Sequence, residues 1–219
     1  GITIKGAKIR LMMPKPVLES TDSSNYQLYL SNRFSVVRQM KYSTAEDDKN
    51  NELDLCILLN GLPLMTFELK NEATGQNYGH GIYQYRSNRS PVNRMLRNCL
   101  VHFVMDNQYV FMTTKLNGEQ TRFLPFNKES VNPPIENEYP TAYMWQDILQ
   151  ADSLLDIIEH FIKRYNDEDG NPVVIFPRFH QLRAVRKMRQ MAAEDGPGHN
   201  YLIQHSAGSG KTKSMAWLA

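Results

Sequence analysis

The residue pattern predicts a mixed α/β fold, and three observations carry that prediction. Apolar runs at 55–59 and 62–67 flank Asn60-Gly61, as adjacent antiparallel strands do. Leu154, Leu155, Ile157, Ile158, Phe161 and Ile162 recur at helical spacing. Near the end, an apolar run at 201–204 leads through a glycine-containing loop into a helix start.

Taken in order, the chain opens on a loosely alternating stretch at 3–13 that reads as a strand. A helix follows at 23–32 and a second strand at 33–43. A charged loop at 44–52 leads into the two apolar runs. The next stretch, 72–98, combines a glycine-punctuated turn, a short helix and several arginines. A hairpin joined at Asp106-Asn107 follows, with alternating strands expected on either side, and 121–126 reads as a further short strand. Composition then shifts at 127–141, proline-rich and aperiodic, to a surface connector. Beyond it come a helix over 146–165 behind an Asp152 or Ser153 cap, a turn at 166–172, and a strongly basic amphipathic helix from 176 to 196.

The 219 residues leave room for one full domain and part of another. Hydrophobic residues at 41% and charged residues at 22% exclude a disordered chain. A formal net charge of +2 means that nucleic-acid binding would rest on local basic patches, not an overall field. No apolar run approaches the roughly 18 residues that span a bilayer, and no basic-then-apolar opening suggests a secretory signal. Cys56 and Cys99 are too few for a disulfide framework and are expected as buried free thiols in a cytoplasmic protein. The six histidines lack paired metal-ligand spacing.

The chemistry concentrates in Asp54, Glu68 and Lys70. Charges at the ends of apolar strands are costly unless paired, solvated or bound to metal. Glu68 and Lys70 share one strand face, with Leu69 on the other. Asp54 and Glu68, with the Leu69 backbone carbonyl, could hold a divalent cation, and Lys70 could serve an attacking water or phosphate. This requires Asp54 opposite Glu68. A two-residue Asn60-Gly61 turn alone would place Asp54 opposite Phe67, so one extra residue is predicted, as a three-residue loop or a bulge. Pro63, which lacks an N–H, suits a loop edge better than a strand interior. The pattern by itself leaves a metal site and a structural salt bridge equally open. A similar triplet, Asp47-Asp48-Lys49, lies in the charged loop and reads as solvated. Tyr83, Tyr85, Arg86, Arg89, Arg94 and Arg97 form an aromatic–basic mixture suited to phosphate backbones or to a solvated helix. Gln84 stands where it could hydrogen-bond beside the carboxylates.

Gly208, Ser209, Gly210, Lys211 and Thr212 form the core of a P-loop, in which backbone N–H groups wrap a phosphate. Lys211 would reach the β/γ-phosphates, and Thr212 would ligate Mg²⁺. His205 stands where the full pattern has its first glycine. Gln181, on the basic helix, could read adenine through its amide. One strand and part of a helix do not make a nucleotide-binding sheet, so the chain by itself is not expected to hydrolyse ATP.

These pieces, in this order, resemble the motor/nuclease (R) subunits of type I restriction–modification enzymes. The matching segments are KIRLMMPKP, NRFSVVRQMKYS, ELDLCILLNGLPLMTFELKN, GIYQYRSNR, TRFLPFN, DSLLDIIEHFI, FPRFHQLRAV and YLIQHSAGSGKT, together with LVHFVMD and VFMTTKLNG. The resemblance implies a PD-(D/E)xK endonuclease domain over 1–126, a linker over 127–146, and over 147–219 the start of a RecA-like lobe of a superfamily-2 translocase. It implies Mg²⁺-dependent cleavage of double-stranded DNA by Asp54, Glu68 and Lys70, with Gln84 matching the glutamine of a QxxxY helix. It also implies ATP binding by Gln181 and 208–212, and assembly with methyltransferase and specificity subunits. Asn88 replaces the expected tyrosine, and the family's N-terminal helices, with their further acidic residue, would precede Gly1. Both ends therefore read as truncated. A stand-alone restriction nuclease and a non-catalytic DNA- and ATP-binding scaffold are the competing readings.

Overall fold

In the computed structural model, which describes residues 2–4, 7–16, 24–44 and 51–218, the strand signals resolve mainly into one six-stranded sheet. The opening stretch forms a short antiparallel hairpin, β1 (Ile2–Ile4) and β2 (Ala7–Ile9), where a single strand is expected. Helix α1 (Ser24–Leu30) follows as predicted. The main sheet contains β3 (Phe34–Lys41), β4 (Glu52–Leu59), β5 (Leu62–Leu69), β6 (Val101–Met105), β7 (Val110–Thr113) and β8 (Leu124–Pro125), neighbours in that order. All pairs are antiparallel except β5–β6, which is parallel. A parallel pair needs a crossover, supplied here by α2 (Tyr78–Ser87) and α3 (Arg94–Asn98). The triplet at 47–49 falls outside the described residues.

The β4–β5 register decides the site. Leu59 pairs with Leu62 and Leu58 with Pro63, around a two-residue turn in which Asn60 and Gly61 take φ of 50° and 81°. Those left-handed conformations favour a tight hairpin turn of the kind that Asn-Gly supplies. A bulge then inserts Leu64, so that Ile57 faces Met65 and Leu55 faces Phe67. The extra residue predicted from strand parity is therefore present, as a bulge and not as a longer loop. Pro63 sits inside the ladder, not at a loop edge.

Both faces of the sheet's centre are covered, while β3 at its edge stays largely exposed. On one side lie Met65, Phe67, Val101, Phe103 and Met105, against Tyr143, Met144, Phe176, Phe179 and Val185. On the other, Val104 packs with Tyr85 and Leu96 from α2 and α3. Every residue of β6 is buried, so the alternation expected of this hairpin is absent: a strand covered on both faces has no solvated side. Its turn spans four residues, with Asp106 Oδ1 accepting from the N–H groups of Gln108 and Tyr109 at 2.9 and 2.7 Å.

The connector at 127–141 and the residues after it contribute to the interior. Asn132, Thr141, Ala142, Tyr143 and Met144 are buried, and Asn132 Nδ2 donates to the Gln108 carbonyl at 2.7 Å. The helix expected over 146–165 comes as shorter pieces. Wide turns at Met144–Ile148 and Ile157–Phe161 flank α4 (Ala151–Asp156). Lys163–Asn166 is a strand, β9, paired with β10 (Pro172–Ile175). Helix α5 (Phe179–Asp195) forms as expected, and α6 (Lys211–Leu218) begins at the lysine of the glycine loop. The predicted strand at 201–204 does not form. Among the described residues no strand lies beside it to pair with, and Leu202 is 93% exposed.

Candidate active site

Past the bulge, the antiparallel register carries Asp54 on β4 to the level of Glu68 on β5. Asp54 Oδ2 accepts the Leu69 N–H at 2.7 Å and the Lys70 ammonium at 3.3 Å. The same ammonium lies 3.7 Å from Glu68 Oε2. One lysine thus bridges two carboxylates on neighbouring strands, the three residues that strand parity brings together. Asp54 keeps its side chain 39% exposed, whereas that of Glu68 is 0% exposed, so the site opens on the Asp54 side.

Glu68 is buried because α2 lies directly over it. A Cβ at Gly81 would come within 2.6 Å of Val104 Cγ1 and 3.4 Å of Glu68 Cβ, so the helix reaches this depth only with glycine there. The start of α2 is held by Asn77, whose side chain accepts the Gly79 N–H, and by Asp106 Oδ2, which accepts the Tyr78 N–H at 2.9 Å. Beneath Glu68, Thr66 Oγ1 bonds the Tyr85 hydroxyl at 2.6 Å and His102 Nδ1 at 2.7 Å. Burial pushes the His102 ring down to about 4, keeping it neutral in this network.

Burial pushes the Glu68 carboxyl up to about 7, with Arg89 pulling it back. Arg89 Nε and Nη2 both donate to Glu68 Oε1, at 2.9 and 2.6 Å. Glu68 Oε2 is buried and has no hydrogen-bond partner among the described residues, and the same is true of Gln84 Oε1.

A hard divalent cation suits this donor set. Mg²⁺ takes oxygen ligands, commonly one or two carboxylates with several waters. Asp54 and the Glu68 oxygen that accepts no hydrogen bond supply two, while no group of three or more His, Cys, Asp or Glu side chains converges among the described residues. Leu69 is fixed through its N–H on Asp54.

The aromatic–basic segment divides. Tyr85 and Arg89 are buried, and Arg86 donates through Nε and Nη2 to the Thr121 carbonyl at 3.1 and 2.9 Å. Tyr83, Arg94 and Arg97 remain exposed. The Arg89–Glu68 pairing escapes pattern reading because the arginine lies 21 residues on, across a helix. The one available signal was an arginine closely following that helix.

The glycine loop stands apart from the carboxylates. Gly208 and Gly210 take φ of 73° and 85°. Gln181 Nε2 donates to the carbonyls of Ser209 and Gly210 at 3.2 and 3.1 Å, and its Oε1 accepts the Arg178 N–H at 2.9 Å. The amide assigned to adenine is therefore engaged with the loop. His180 Nε2 also reaches the Ser209 carbonyl, at 3.0 Å. Lys211 Nζ bonds the carbonyls of His205 and Ser206 at 3.3 and 3.0 Å, and Thr212 is exposed.

A family model described as the type I restriction enzyme R protein N terminus matches residues 16–131, more than half of the chain. The chain is 27% identical to the SauCOLORF180P type I restriction enzyme endonuclease subunit of Staphylococcus aureus strain COL, over 93% of the chain and 21% of the relative. It is 23% identical to the HindI endonuclease subunit of Haemophilus influenzae, over 89% of the chain and 19% of the relative. A Staphylococcus saprophyticus endonuclease subunit, SsaAORF53P, is 25% identical over 93% of the chain and 21% of its own length. The chain thus spans about a fifth of the length of these curated relatives. No helix among the described residues is long and apolar enough to cross a membrane.

Proposed function

The chain belongs to the type I restriction enzyme R protein family, in its N-terminal region, and on that premise we propose that it carries a Mg²⁺-dependent DNA nuclease site. The observation that carries the proposal is the meeting of Asp54, Glu68 and Lys70 across a bulged hairpin, with one buried Glu68 oxygen facing the Lys70 ammonium but accepting no hydrogen bond. Asp54 and Glu68 would hold the cation. Bound there, it would activate water and neutralise charge on the scissile phosphodiester. Lys70, just past β5 and held against β6 by its N–H to the Met105 carbonyl at 2.8 Å, presents a cation that would stabilise developing negative charge or orient the water. The mixed sheet and its flanking helices fit a PD-(D/E)xK domain over 1–126.

In the whole protein, the 208–212 loop and Gln181 would bind ATP as the opening of a RecA-like translocase lobe. Double-stranded DNA would be the substrate, contacted mainly through its backbone. Methyltransferase and specificity subunits would be the partners of a complex acting in the cytoplasm.

A second reading draws on the ion pairs themselves. Lys70 faces both carboxylates and Arg89 faces Glu68, so the charges balance without metal. That would make the region a non-catalytic scaffold. Plasmid nicking with Mg²⁺ separates the two. Nicking should fall at least about 100-fold in Asp54→Ala and in Lys70→Ala, and residual nicking equal to wild type in both rejects the catalytic assignment.

A further inference from the structure

Arg89 lies just past the end of α2, is 4% exposed, and is fixed from several directions. Besides Glu68, its Nη2 donates to the Glu52 carbonyl on β4 at 2.6 Å, and Nη1 to the Asn88 carbonyl at 3.4 Å. Its guanidinium carbon lies 5.9 Å from the centre of the Tyr42 ring. One planar group therefore ties β4, β5 and the end of α2 together.

The way it meets Glu68 is informative. Arginine and carboxylate commonly pair fork to fork, engaging both oxygens. Here both donors fall on Oε1, and Oε2 is left with the Lys70 ammonium at 3.7 Å and no hydrogen bond. A buried acceptor without a hydrogen bond is destabilising, and the ammonium at 3.7 Å offsets that only through charge. A fork-to-fork pair would have engaged both oxygens, whereas here Nη2 is shared between Glu68 Oε1 and the Glu52 carbonyl. We infer that Arg89 is a positioning residue: it anchors Glu68 by one oxygen so that the other is offered to a divalent cation shared with Asp54.

This inference rests on the metal-site reading of Asp54 and Glu68. Lysine cannot replace the function, because a single ammonium lacks the fork that joins Glu68 to the Glu52 carbonyl. The Gly81 approach and the Thr66–Tyr85 bond hold the backbone around Glu68 independently. Loss of the fork should therefore free the carboxylate more than the fold.

Mn²⁺ titrated into the 219-residue chain, with bound ion read by electron paramagnetic resonance and folding read by metal-free melting, tests this. Wild type should bind and Asp54→Ala should not. Arg89→Lys should stay folded and bind at least about tenfold more weakly, as supporting-residue changes at metal sites do. If Arg89→Lys fails to fold, Arg89→Gln, which keeps an amide donor for Oε1, takes its place with the same expectation. Equal or tighter Mn²⁺ binding by the folded Arg89 variant overturns the positioning role and leaves the metal site standing. No binding by wild type, or undiminished binding by Asp54→Ala, overturns both.

Discussion

The carboxylate site and the glycine loop are both charged, yet they are held by different means. Asp54, Glu68 and Lys70 sit on paired strands, beneath a helix that glycine allows to close down, with a buried polar network behind them. Among the described residues, the loop at 205–210 has no strand at its base. Its shape depends on two left-handed glycines and on side chains reaching in from α5. The carboxylates gain their geometry from the sheet, where register and burial leave few alternatives. The loop gains its geometry from local hydrogen bonds at the surface, where water competes for the same groups. The first region is set by the fold as a whole, and the second by its own few contacts.

Breaking the shared core should erase the contrast. Phe103 on β6 stacks on Phe67 at 5.2 Å and meets Phe126 and Phe176 at 5.5 and 5.8 Å. Phe103→Ala should cost about 3–5 kcal/mol, read by chemical denaturation, and should loosen both regions together.

Acid should act through buried groups on the sheet side. The folded value of His102 lies below its ordinary 6.5, at about 4. The folded state therefore holds fewer protons than the unfolded chain between those values. The stabilisation from neutral His102 is full above 6.5 and drains as pH falls through about 4, by on the order of 3 kcal/mol. Glu68, pushed up from 4.5 to about 7, acts in the opposite sense over much of that window, so the readout is the difference. The denaturation midpoint of His102→Gln should rise relative to wild type as pH falls from 6.5 to 4.

Gly81→Ala sharpens the comparison from one side. The added methyl meets Val104 and Glu68 and should cost about 1–3 kcal/mol. Melting temperature and Mn²⁺ binding should fall together. Gly210→Ala probes the other side. Its methyl would run into the Gln181 amide, at a φ of 85° that disfavours alanine. Because the loop is peripheral, stability should change by only about 1 kcal/mol, and the ATP binding proposed for the loop, read by titration calorimetry, should be lost. A large drop in melting temperature from Gly210→Ala would show that the loop is integral to the core.

Much of the site was legible because side-chain alternation along a strand is strict. Counting from Asn60-Gly61 showed that Asp54 and Glu68 meet only with one extra residue, and the Leu64 bulge supplies it. Helix α5 was equally legible, since its amphipathic period is local. The misses share one cause: they depend on partners far away in the chain. The apolar run at 201–204 reads as a strand, but a strand is made by its neighbour, and none lies beside it among the described residues. Lys163–Asn166 continues a helical pattern in sequence, yet pairing with Pro172–Ile175 draws it into a hairpin. Arg89 looked like one cation among several suited to phosphate, until the end of α2 brought it against Glu68.

By itself the sequence determined which charges interrupt the apolar strands, the parity that two of them need in order to meet, the glycine loop ahead of a helix, and the family resemblance. All of these are written in local spacing and residue order. Only the tertiary structure decided that a bulge provides the parity, that Gly81 lets a helix bury Glu68, and that Arg89 takes one carboxylate oxygen and leaves the other. Those outcomes arise from close approach between segments distant along the chain, where sub-ångström sterics and desolvation choose among arrangements that spacing alone leaves equivalent.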